Sequence, residues 1–267
     1  MINQSKTVDV TIERTVNNFT SDENDILSIE EPLEISVSFI KNGQSIEKKI
    51  SVTMRTPGND EELATGFLFT EGIIKNISDI INSTITDENK IRITLAKNIH
   101  IDSLHLERNF YTTSSCGVCG KASIEAIQTN SIYTTKKISK IAPNILYSLI
   151  DKLTEHQESF KSTGGLHASA LFTIDGNFID LKEDVGRHNA LDKLIGAAFN
   201  GNKLPLNNTI LLLSGRASFE LIQKAGMAAI PIVAAIGAPS SLAVELAISK
   251  SIQLIGFLKK DRFNKYN

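Results

Sequence analysis

The chain has 267 residues, of which 41% are hydrophobic and 22% charged, and its formal net charge is −2. These values are typical of a soluble globular protein that forms one large domain or two small ones. The nearly balanced charge gives no indication of a nucleic acid or a membrane surface as a partner.

The sequence also shows no targeting or membrane signal. Residues 1–10 lack the basic stretch and apolar core of a signal peptide, and no apolar run reaches the roughly 18 residues of a membrane span. We therefore expect the protein to be cytoplasmic. Because structural disulfides are rare in the cytoplasm, the two cysteines of the chain are expected to serve catalysis or metal binding.

The first part of the chain, residues 1–109, has the pattern of a small strand-rich unit. Two alternating apolar runs flank Asn42-Gly43, which predicts a β-hairpin. A helix is predicted over residues 59–72, ended by a glycine, and a further strand over residues 91–96. A hairpin, a helix and returning strands predict a small α+β domain that is β-grasp-like.

The second part, residues 110–267, alternates helices with short apolar strands. A second hairpin is predicted around Asp175-Gly176. Helices are predicted over residues 122–128, 143–156, 187–199, 217–225 and 240–249, and buried strands over residues 209–213, 231–236 and 252–257. Short apolar strands separated by helices predict an α/β domain whose parallel or mixed sheet is covered on both faces.

The only two cysteines, Cys116 and Cys119, form a C-x-x-C motif in a stretch rich in Gly, Ser and Thr. This composition predicts a mobile polar loop rather than a buried strand. Three chemistries suit the pair: a dithiol redox couple, half of a zinc site, and a thiolate nucleophile that carries sulfur. The residues alone leave all three open. Lys121 and a helix that begins near Cys119 would favour the thiolate that each chemistry needs.

Further polar side chains cluster where predicted strands meet helices, which is where α/β folds bind ligands. Ser214, Gly215 and Arg216 follow a buried strand, and their hydroxyl, guanidinium and N–H groups suit a phosphate. A similar junction runs from Gly237 to Ser241. Neither junction matches a known phosphate-loop pattern, so a capped helix entry without a ligand is an equal alternative.

Two histidines and a basic C-terminal segment add to this set. Arg187 and His188 belong to a dense polar run that leads directly into an apolar-striped helix, and a pair of glycines precedes His167. Four cations follow the last predicted strand, at Lys259, Lys260, Arg262 and Lys265. These groups are candidates for holding the phosphates of a dinucleotide, although a structural histidine and a solvated tail would also account for them.

Several long motifs closely resemble, in the same order, the FdhD family of formate dehydrogenase accessory proteins, also called NarQ. The motifs are Glu31-Pro32-Leu33, Thr56-Pro57-Gly58, Gly66-Phe67-Leu68 with Glu71-Gly72, Ser115–Gly120, Thr163–His167, Glu183–Lys193 and Ser214–Ser218. The resemblance runs from about residue 10 to the end of the chain.

This resemblance implies a fold and a function. Residues 110–267 would form a larger, three-layer αβα domain like that of cytidine deaminase, beside the β-grasp-like domain of residues 1–109. The protein would be a sulfurtransferase that accepts sulfur as a persulfide from a cysteine desulfurase. It would pass that sulfur to the molybdenum of bis(molybdopterin guanine dinucleotide) before this cofactor enters formate dehydrogenase. It would be a homodimer with no nucleic acid or membrane partner.

Residue by residue, the resemblance makes Cys116 the persulfide carrier and Cys119 the residue that assists or resolves it. The resemblance implies that the molybdenum cofactor, or a guanine nucleotide at the same site, is bound by the matching C-terminal segment, Phe257 to Arg262, with no resident metal. The density of motifs and the chemistry of the helix entries add residues at the strand ends. The binding residues are Phe257, Leu258, Lys259, Lys260, Asp261, Arg262, Ser214, Gly215, Arg216, Arg187, His188 and His167.

Four rival interpretations compete with sulfur transfer. A zinc deaminase needs H-x-E before P-C-x-x-C, whereas Ser115 precedes Cys116 and no H-x-E precedes the loop. A zinc site from Cys116, Cys119 and His167 would predict bound metal. A cofactor-binding chaperone would keep its function without Cys116. A thioredoxin-like redox role lacks the expected βαβ context.

Overall fold

The computed structural model describes residues 5–97, 99, 129–138 and 140–267. The cysteine motif, the helix predicted over residues 122–128 and the predicted boundary between residues 109 and 110 lie outside the described residues.

The strands are β1 (Thr7–Val16), β2 (Phe19–Ser28), β3 (Glu31–Lys41), β4 (Gln44–Arg55), β5 (Ile80–Asp87), β6 (Lys90–Leu95), β7 (His167–Thr173), β8 (Phe178–Asp184), β9 (Thr209–Leu213), β10 (Ile232–Ala235), β11 (Gln253–Gly256) and β12 (Asn264–Lys265). The α-helices are α1 (Asp60–Thr70), α2 (Pro143–His156), α3 (Glu158–Thr163), α4 (Arg187–Asn200), α5 (Phe219–Met227) and α6 (Ser241–Ser249). No helix in the described part of the chain is long and apolar enough to cross a membrane.

The hairpin predicted around Asn42-Gly43 is confirmed, because β3 and β4 pair antiparallel across it. Both turn residues have positive φ, 52° and 78°, as a two-residue type I′ turn requires. β6 returns parallel to β3, and the sheet has the order β4-β3-β6-β5. One face of this four-stranded sheet is apolar, since alternate residues of β3 from Leu33 to Phe39 are buried.

The helix predicted over residues 59–72 is α1, and it covers that apolar face. The chain enters it through Asn59, whose backbone is left-handed with φ 58°, and leaves it at Gly72, where φ is 74°. Asn59 makes no side-chain bond to the helix backbone, and its amide donates to the Glu62 carboxylate instead. Three acidic residues in the first turn interact favourably with the helix dipole.

The second sheet has six strands in the order β12-β11-β10-β9-β7-β8. β9, β10 and β11 are parallel, whereas β7 is antiparallel to both of its neighbours and β12 is antiparallel to β11. β7 and β8 form the hairpin that Asp175-Gly176 predicts. The sheet is therefore mixed, which is one of the two forms predicted from the sequence.

Helices cover both faces of the six-stranded sheet, as predicted. On one face α2 packs its buried leucines, Leu146, Leu149 and Leu153, against residues of β7, β9 and β10. On the other face lie α4, α5 and α6, in a core that continues through α1 to the four-stranded sheet. The layers in order are α2, the six-stranded sheet, the group α4 to α6, then α1, and the four-stranded sheet.

The sequence patterns do not predict β2, β5, α3 or the short β12. β2 is the clearest case, because Asp22, Glu23 and Asp25 leave it without apolar alternation. It forms by pairing with β1 along its whole length, around a turn in which both residues have positive φ. Cross-strand pairing, which a local pattern cannot show, therefore decides this element.

Helices α1 and α4 cross in backbone contact at Gly66 and Gly196. A methyl group on Gly66 would overlap the carbonyl of Asp192, and one on Gly196 would overlap the carbonyl of Glu62. Only glycine lets the two helix backbones approach this closely. The crossing joins the four-stranded sheet and its helix to the helices of the six-stranded sheet.

We expect Gly196→Ala to destabilise the fold, because α1 or α4 must shift to admit the methyl group. The overlap should outweigh the ~1 kcal/mol that alanine gains over glycine within a helix, and should leave a net loss of about 1–3 kcal/mol. Urea unfolding followed by circular dichroism measures this loss. Ala197→Ser, a small addition at the next and partly exposed position, is the control. A wild-type midpoint for Gly196→Ala would contradict the crossing.

Candidate functional site

The candidate site lies at one edge of the six-stranded sheet. β9, β10 and β11 end at this edge, at Leu213, Ala235 and Gly256. Because β7 is antiparallel to β9, it begins at the same edge with His167, and β8 ends there with Asp184. We call this the carboxyl edge. Each predicted binding residue begins one of these strands or follows one, so residues far apart in the sequence share one edge.

Hydrogen bonds join the loops at the carboxyl edge. The Ser214 hydroxyl accepts a bond from the Ala168 N–H at 2.8 Å, and the Ser214 N–H donates to the Ala168 carbonyl at 3.0 Å. The Gly237 N–H donates to the Gly215 carbonyl at 2.9 Å, and the Phe257 N–H donates to the Gly237 carbonyl at 3.1 Å. Ser214 and Gly215 therefore build the edge itself, and the Ser214 hydroxyl still has its own proton to donate.

His167 lies against Gly215, where a side chain would crowd the imidazole: a Cβ on Gly215 would be 3.4 Å from His167 Nδ1. Burial lowers the pKa of His167, and the neighbouring Arg187 and His188 lower it further, while Asp184 acts in the opposite direction. His167 is therefore neutral near pH 7. A neutral imidazole can accept one hydrogen bond and donate another.

His188 lies in the first turn of α4 and reaches across to the start of α5. Its Nε2 is 3.0 Å from the Glu220 carboxylate and 3.4 Å from the Ser218 hydroxyl. Sequence reasoning missed Glu220, because a carboxylate in the first turn of a helix is usually explained by the helix dipole. Only the packing of α4 beside α5 identifies it as the partner of His188.

Two buried polar atoms at the starts of these helices have no hydrogen-bond partner among the described residues. They are Nε of Arg187, a donor, and Oε1 of Glu220, an acceptor. Buried polar atoms are nearly always paired in folded proteins, so an unpaired donor and an unpaired acceptor mark a place where a ligand or water completes the bonding. A ligand with both donors and acceptors suits this part of the edge.

Other charged residues of the 183–193 run serve the fold. Asp184 is fully buried, accepts hydrogen bonds from the N–H groups of Thr56 and Gly186, and lies 2.6 Å from Nζ of Lys193. Lys193 also donates to the Thr56 carbonyl at 2.8 Å. Burial lowers the pKa of Lys193, and the Asp184 carboxylate counteracts that effect. This pair ties the Thr56-Pro57-Gly58 motif to the carboxyl edge.

A second buried ion pair joins three helices. The Asp192 carboxylate lies 2.8 Å from Nζ of Lys224, and the Thr70 hydroxyl contacts both. Burial raises the pKa of Asp192, and Lys224 opposes the rise. Burial also disfavours charge on Lys224, but Asp192 and Glu71 hold the pKa of that lysine above its ordinary value. Asp192 and Lys224 are therefore bound to each other and are structural.

The C-terminal segment combines buried and exposed residues. Leu258 is buried in the core beneath α2, whereas Phe257 is 44% exposed on a left-handed backbone with φ 52°. Lys260 pairs with Asp151 of α2. No hydrogen bond or ion pair in the described part of the chain joins residues 259–262 to either His167 or His188. The segment and the histidines therefore share the carboxyl edge without a hydrogen bond or an ion pair between them in the described part of the chain.

The two predicted catalytic residues, Cys116 and Cys119, lie outside the described residues. The alternative zinc site that combines them with His167 lies partly outside for the same reason. Within the described ranges, no group of three or more His, Cys, Asp or Glu side chains could hold a metal ion. The structure therefore positions the predicted binding residues but not the thiols.

The fold and this edge define the class of protein: a mixed α/β protein with several sheets and a polar site at its strand ends. A family model described as the FdhD/NarQ family matches residues 29–267. The chain belongs to the FdhD/NarQ family, which confirms the resemblance found in the sequence.

Individual relatives agree with the family model. Proteins named sulfur carrier protein FdhD are 47% identical in Streptomyces avermitilis, over 91% of this chain and 87% of the relative, and 38% identical in Sulfolobus acidocaldarius, over 96% and 95%. A crystal structure described as a formate dehydrogenase accessory protein from Desulfotalea psychrophila has a TM-score of 0.73 and 21% identity. It covers 98% of this chain and 97% of its own, and it shows the same fold.

We expect an NMR titration of His167 to give a midpoint below 6.5, because burial and the Arg187 cation disfavour the imidazolium. Arg187→Gln should raise the midpoint, whereas Arg92→Gln, which removes a partner of Glu47, should not. By linkage, the unfolded chain binds the His167 proton more readily, so this residue destabilises the fold as pH falls below about 6.5. A midpoint at or above 6.5 would contradict this account.

Proposed function

We propose that this chain is a sulfurtransferase that carries sulfur from a cysteine desulfurase, as a persulfide on Cys116, to the molybdenum of bis(molybdopterin guanine dinucleotide). Transfer would precede entry of the cofactor into formate dehydrogenase. The observation that carries the proposal is membership of the FdhD/NarQ family, in which relatives at 47% identity are named sulfur carriers. The only two thiols of the chain, Cys116 and Cys119, support it because a carrier needs a nucleophilic cysteine.

With these two cysteines, both steps of the transfer conserve atoms and electrons. In the first, the Cys116 thiolate attacks the outer sulfur of the desulfurase persulfide, one S–S bond replaces another, and the desulfurase thiolate leaves without net oxidation. In the second, the Cys119 thiolate attacks the inner sulfur of the Cys116 persulfide and releases hydrosulfide for the metal. A Cys116–Cys119 disulfide remains, and a cellular dithiol must reduce it before the next cycle.

The carboxyl edge would bind the cofactor that receives the sulfur. A ligand with two pyrophosphates and two guanines needs cations as well as hydrogen-bond donors and acceptors. Arg187, Arg216 and residues 257–262 supply the cations, and the unpaired Nε of Arg187 and Oε1 of Glu220 supply a donor and an acceptor. The neutral His167 adds one of each. A guanine nucleotide is expected to fit the same residues.

The finer fold names and the assembly belong to the same proposal. The order β4-β3-β6-β5, with one helix on its apolar face, supports a β-grasp-like domain in residues 1–109. The mixed sheet with helices on both faces supports a cytidine-deaminase-like αβα domain in residues 110–267. We also propose that the protein is a cytoplasmic homodimer with no nucleic acid or membrane partner.

The second candidate is a non-catalytic chaperone that binds the molybdenum cofactor and docks formate dehydrogenase. The same unpaired polar atoms at the carboxyl edge favour it, since they concern binding and not sulfur chemistry. The two functions differ in what they need from Cys116. A chaperone keeps its function without that thiol, and a sulfur carrier does not.

We expect incubation with a cysteine desulfurase and cysteine to add about one sulfur, roughly +32 Da, to the intact chain, because thiol exchange moves a single sulfur atom. Mass spectrometry should show that a reductant reverses the gain and that Cys116→Ala abolishes it. Cys119→Ala should still take up sulfur, since it retains the attacking thiol. No adduct on the wild type, with an active desulfurase, would exclude the persulfide and leave the chaperone.

We expect Arg187→Gln and Arg216→Gln each to weaken binding of GDP by roughly 10- to 100-fold, the loss of one hydrogen bond to a charged group. Isothermal titration calorimetry at two salt concentrations measures this, and affinity should fall as salt rises because the contacts are ionic. Arg92→Gln, on the four-stranded sheet, is the control. Equal losses in all three variants would place the nucleotide elsewhere.

A further inference from the structure

The two-stranded ribbon formed by β1 and β2, Thr7–Ser28, carries most of its apolar side chains on one face. Its strands pair in register from Thr7 with Ser28 to Val16 with Phe19, and directly paired residues share a face. Val8, Val10, Ile12, Val16, Phe19 and Leu27 lie on one face together with Arg14, Glu23 and Asp25, and Asp9, Glu13 and Asp22 lie on the other together with Ile26. We call this element the ribbon.

Little of the ribbon touches the rest of the chain. Every residue from Glu13 to Asn24 is exposed, and Val16 and Phe19 at the tip are 58% and 81% exposed. The base is held by a 2.7 Å hydrogen bond from the Ser28 hydroxyl to the Thr163 hydroxyl. Because an isolated two-stranded ribbon is marginally stable in water, one with exposed apolar side chains is expected to pack on another molecule.

The charge of the ribbon indicates what kind of surface it fits. It contains five carboxylates and one guanidinium, a net charge of −4, against −2 for the whole chain. Glu13 and Asp22 are direct cross-strand partners, an arrangement in which like charges repel. The single cation, Arg14, already pairs with Glu23 at 3.2 Å. Cations from outside the ribbon would relieve this repulsion.

One stretch of the same chain has the opposite character. Residues 129–142 contain no acidic residue and three lysines, Lys136, Lys137 and Lys140, all of them exposed. Ile132, close to them in sequence, is 48% exposed. We call the three lysines and Ile132 the basic segment. It presents cations together with an apolar side chain, and so complements the ribbon in both respects.

The ribbon and the basic segment are anchored at opposite edges of the six-stranded sheet. Thr163, which holds the base of the ribbon, precedes β7 at the carboxyl edge. The Ser131 hydroxyl donates to the carbonyl of Met227. Met227 is the last residue of α5 and lies at the edge of the sheet where β10 begins. No ion pair joins the ribbon to the basic segment within the described residues. Their anchors at opposite edges favour a contact between two copies over one within a single chain.

We propose that the ribbon of one copy docks on the basic segment of a second copy, and that two such contacts, related by a two-fold axis, close a dimer. The face of the ribbon that carries Val16 and Phe19 covers the surface around Ile132, and the long lysine side chains reach the carboxylates Glu23 and Asp25 on that face. This inference rests on the homodimer included in the proposed function. It is independent of the persulfide chemistry.

Charge reversal on each surface, followed by mixing, tests the contact. One variant carries Asp22→Lys, Glu23→Lys and Asp25→Lys, and the other carries Lys136→Glu, Lys137→Glu and Lys140→Glu. A control variant reverses three exposed carboxylates elsewhere, Glu61, Glu155 and Asp175. Size-exclusion chromatography with light scattering measures the mass of each variant and of the one-to-one mixture. Circular dichroism verifies that each variant is folded.

We expect the wild type and the control to have twice the chain mass of 29.2 kDa, and each reversed variant alone to have the mass of one chain. The mixture should return to twice the chain mass, because each copy then offers one native and one reversed surface and both contacts pair opposite charges. Rising salt should weaken the wild-type dimer, since the contact is partly ionic.

Three results would overturn the proposal: a wild type with the mass of one chain, reversed variants that remain dimers, or a mixture that does not recover the dimer mass. Reversed variants that remain dimers would show that the ribbon and the basic segment do not form the interface, while the homodimer itself would stand. Persulfide loading of the reversed variants, measured in parallel, distinguishes these failures from a failure of the sulfur-carrier function. Loading is expected to be unchanged, because the substitutions leave both cysteines intact.

Discussion

The buried ion pair between Asp184 and Lys193 holds the candidate site in position. Asp184 ends β8, Lys193 lies in α4, and Thr56 from the first part of the chain bonds to both. Removing one member of a buried pair leaves the other charge unpaired, which typically costs about 3–5 kcal/mol. The pair therefore fixes the first turn of α4, and with it Arg187 and His188, relative to the four-stranded sheet.

Helix α4 serves both the fold and the site, at different points along its length. Its middle is buried, where Gly196 meets the backbone of α1 and Asp192 binds Lys224. Its first turn lies at the carboxyl edge, where the polar atoms are only partly paired. A buried helix keeps the side chains of its partly exposed first turn in place, which suits a binding site that is formed before its ligand arrives.

The carboxyl edge is also where the ribbon joins the body of the chain, through Ser28 and Thr163. Thr163 lies only four residues before His167, so a second copy held by the ribbon would be attached beside the strand that carries a site residue. The ribbon's contact with the second copy would then lie next to the ligand site.

The sequence by itself determined the helices, strands and turns whose formation depends on residues close together in the chain. The turn at Asn42-Gly43, the helix that follows Asn59 and the apolar strand Thr209–Leu213 were all predictable, because backbone preference and hydrophobic periodicity are properties of adjacent residues. The family motifs further identified the residues of the edge. Strand β2 was not predictable, because its exposed charged residues form a strand only through pairing with β1.

Tertiary structure alone decided what each polar residue does. The charged residues of the run from Glu183 to Lys193 look alike in the sequence, yet Asp184, Asp192 and Lys193 are buried in ion pairs while Arg187 and His188 lie at the carboxyl edge. Glu220 became the partner of His188 only because α5 packs beside α4. The sequence by itself therefore determined the family, most of the elements and the candidate residues. Burial and partner choice depend on contacts between residues far apart in the chain, and no local pattern contains them.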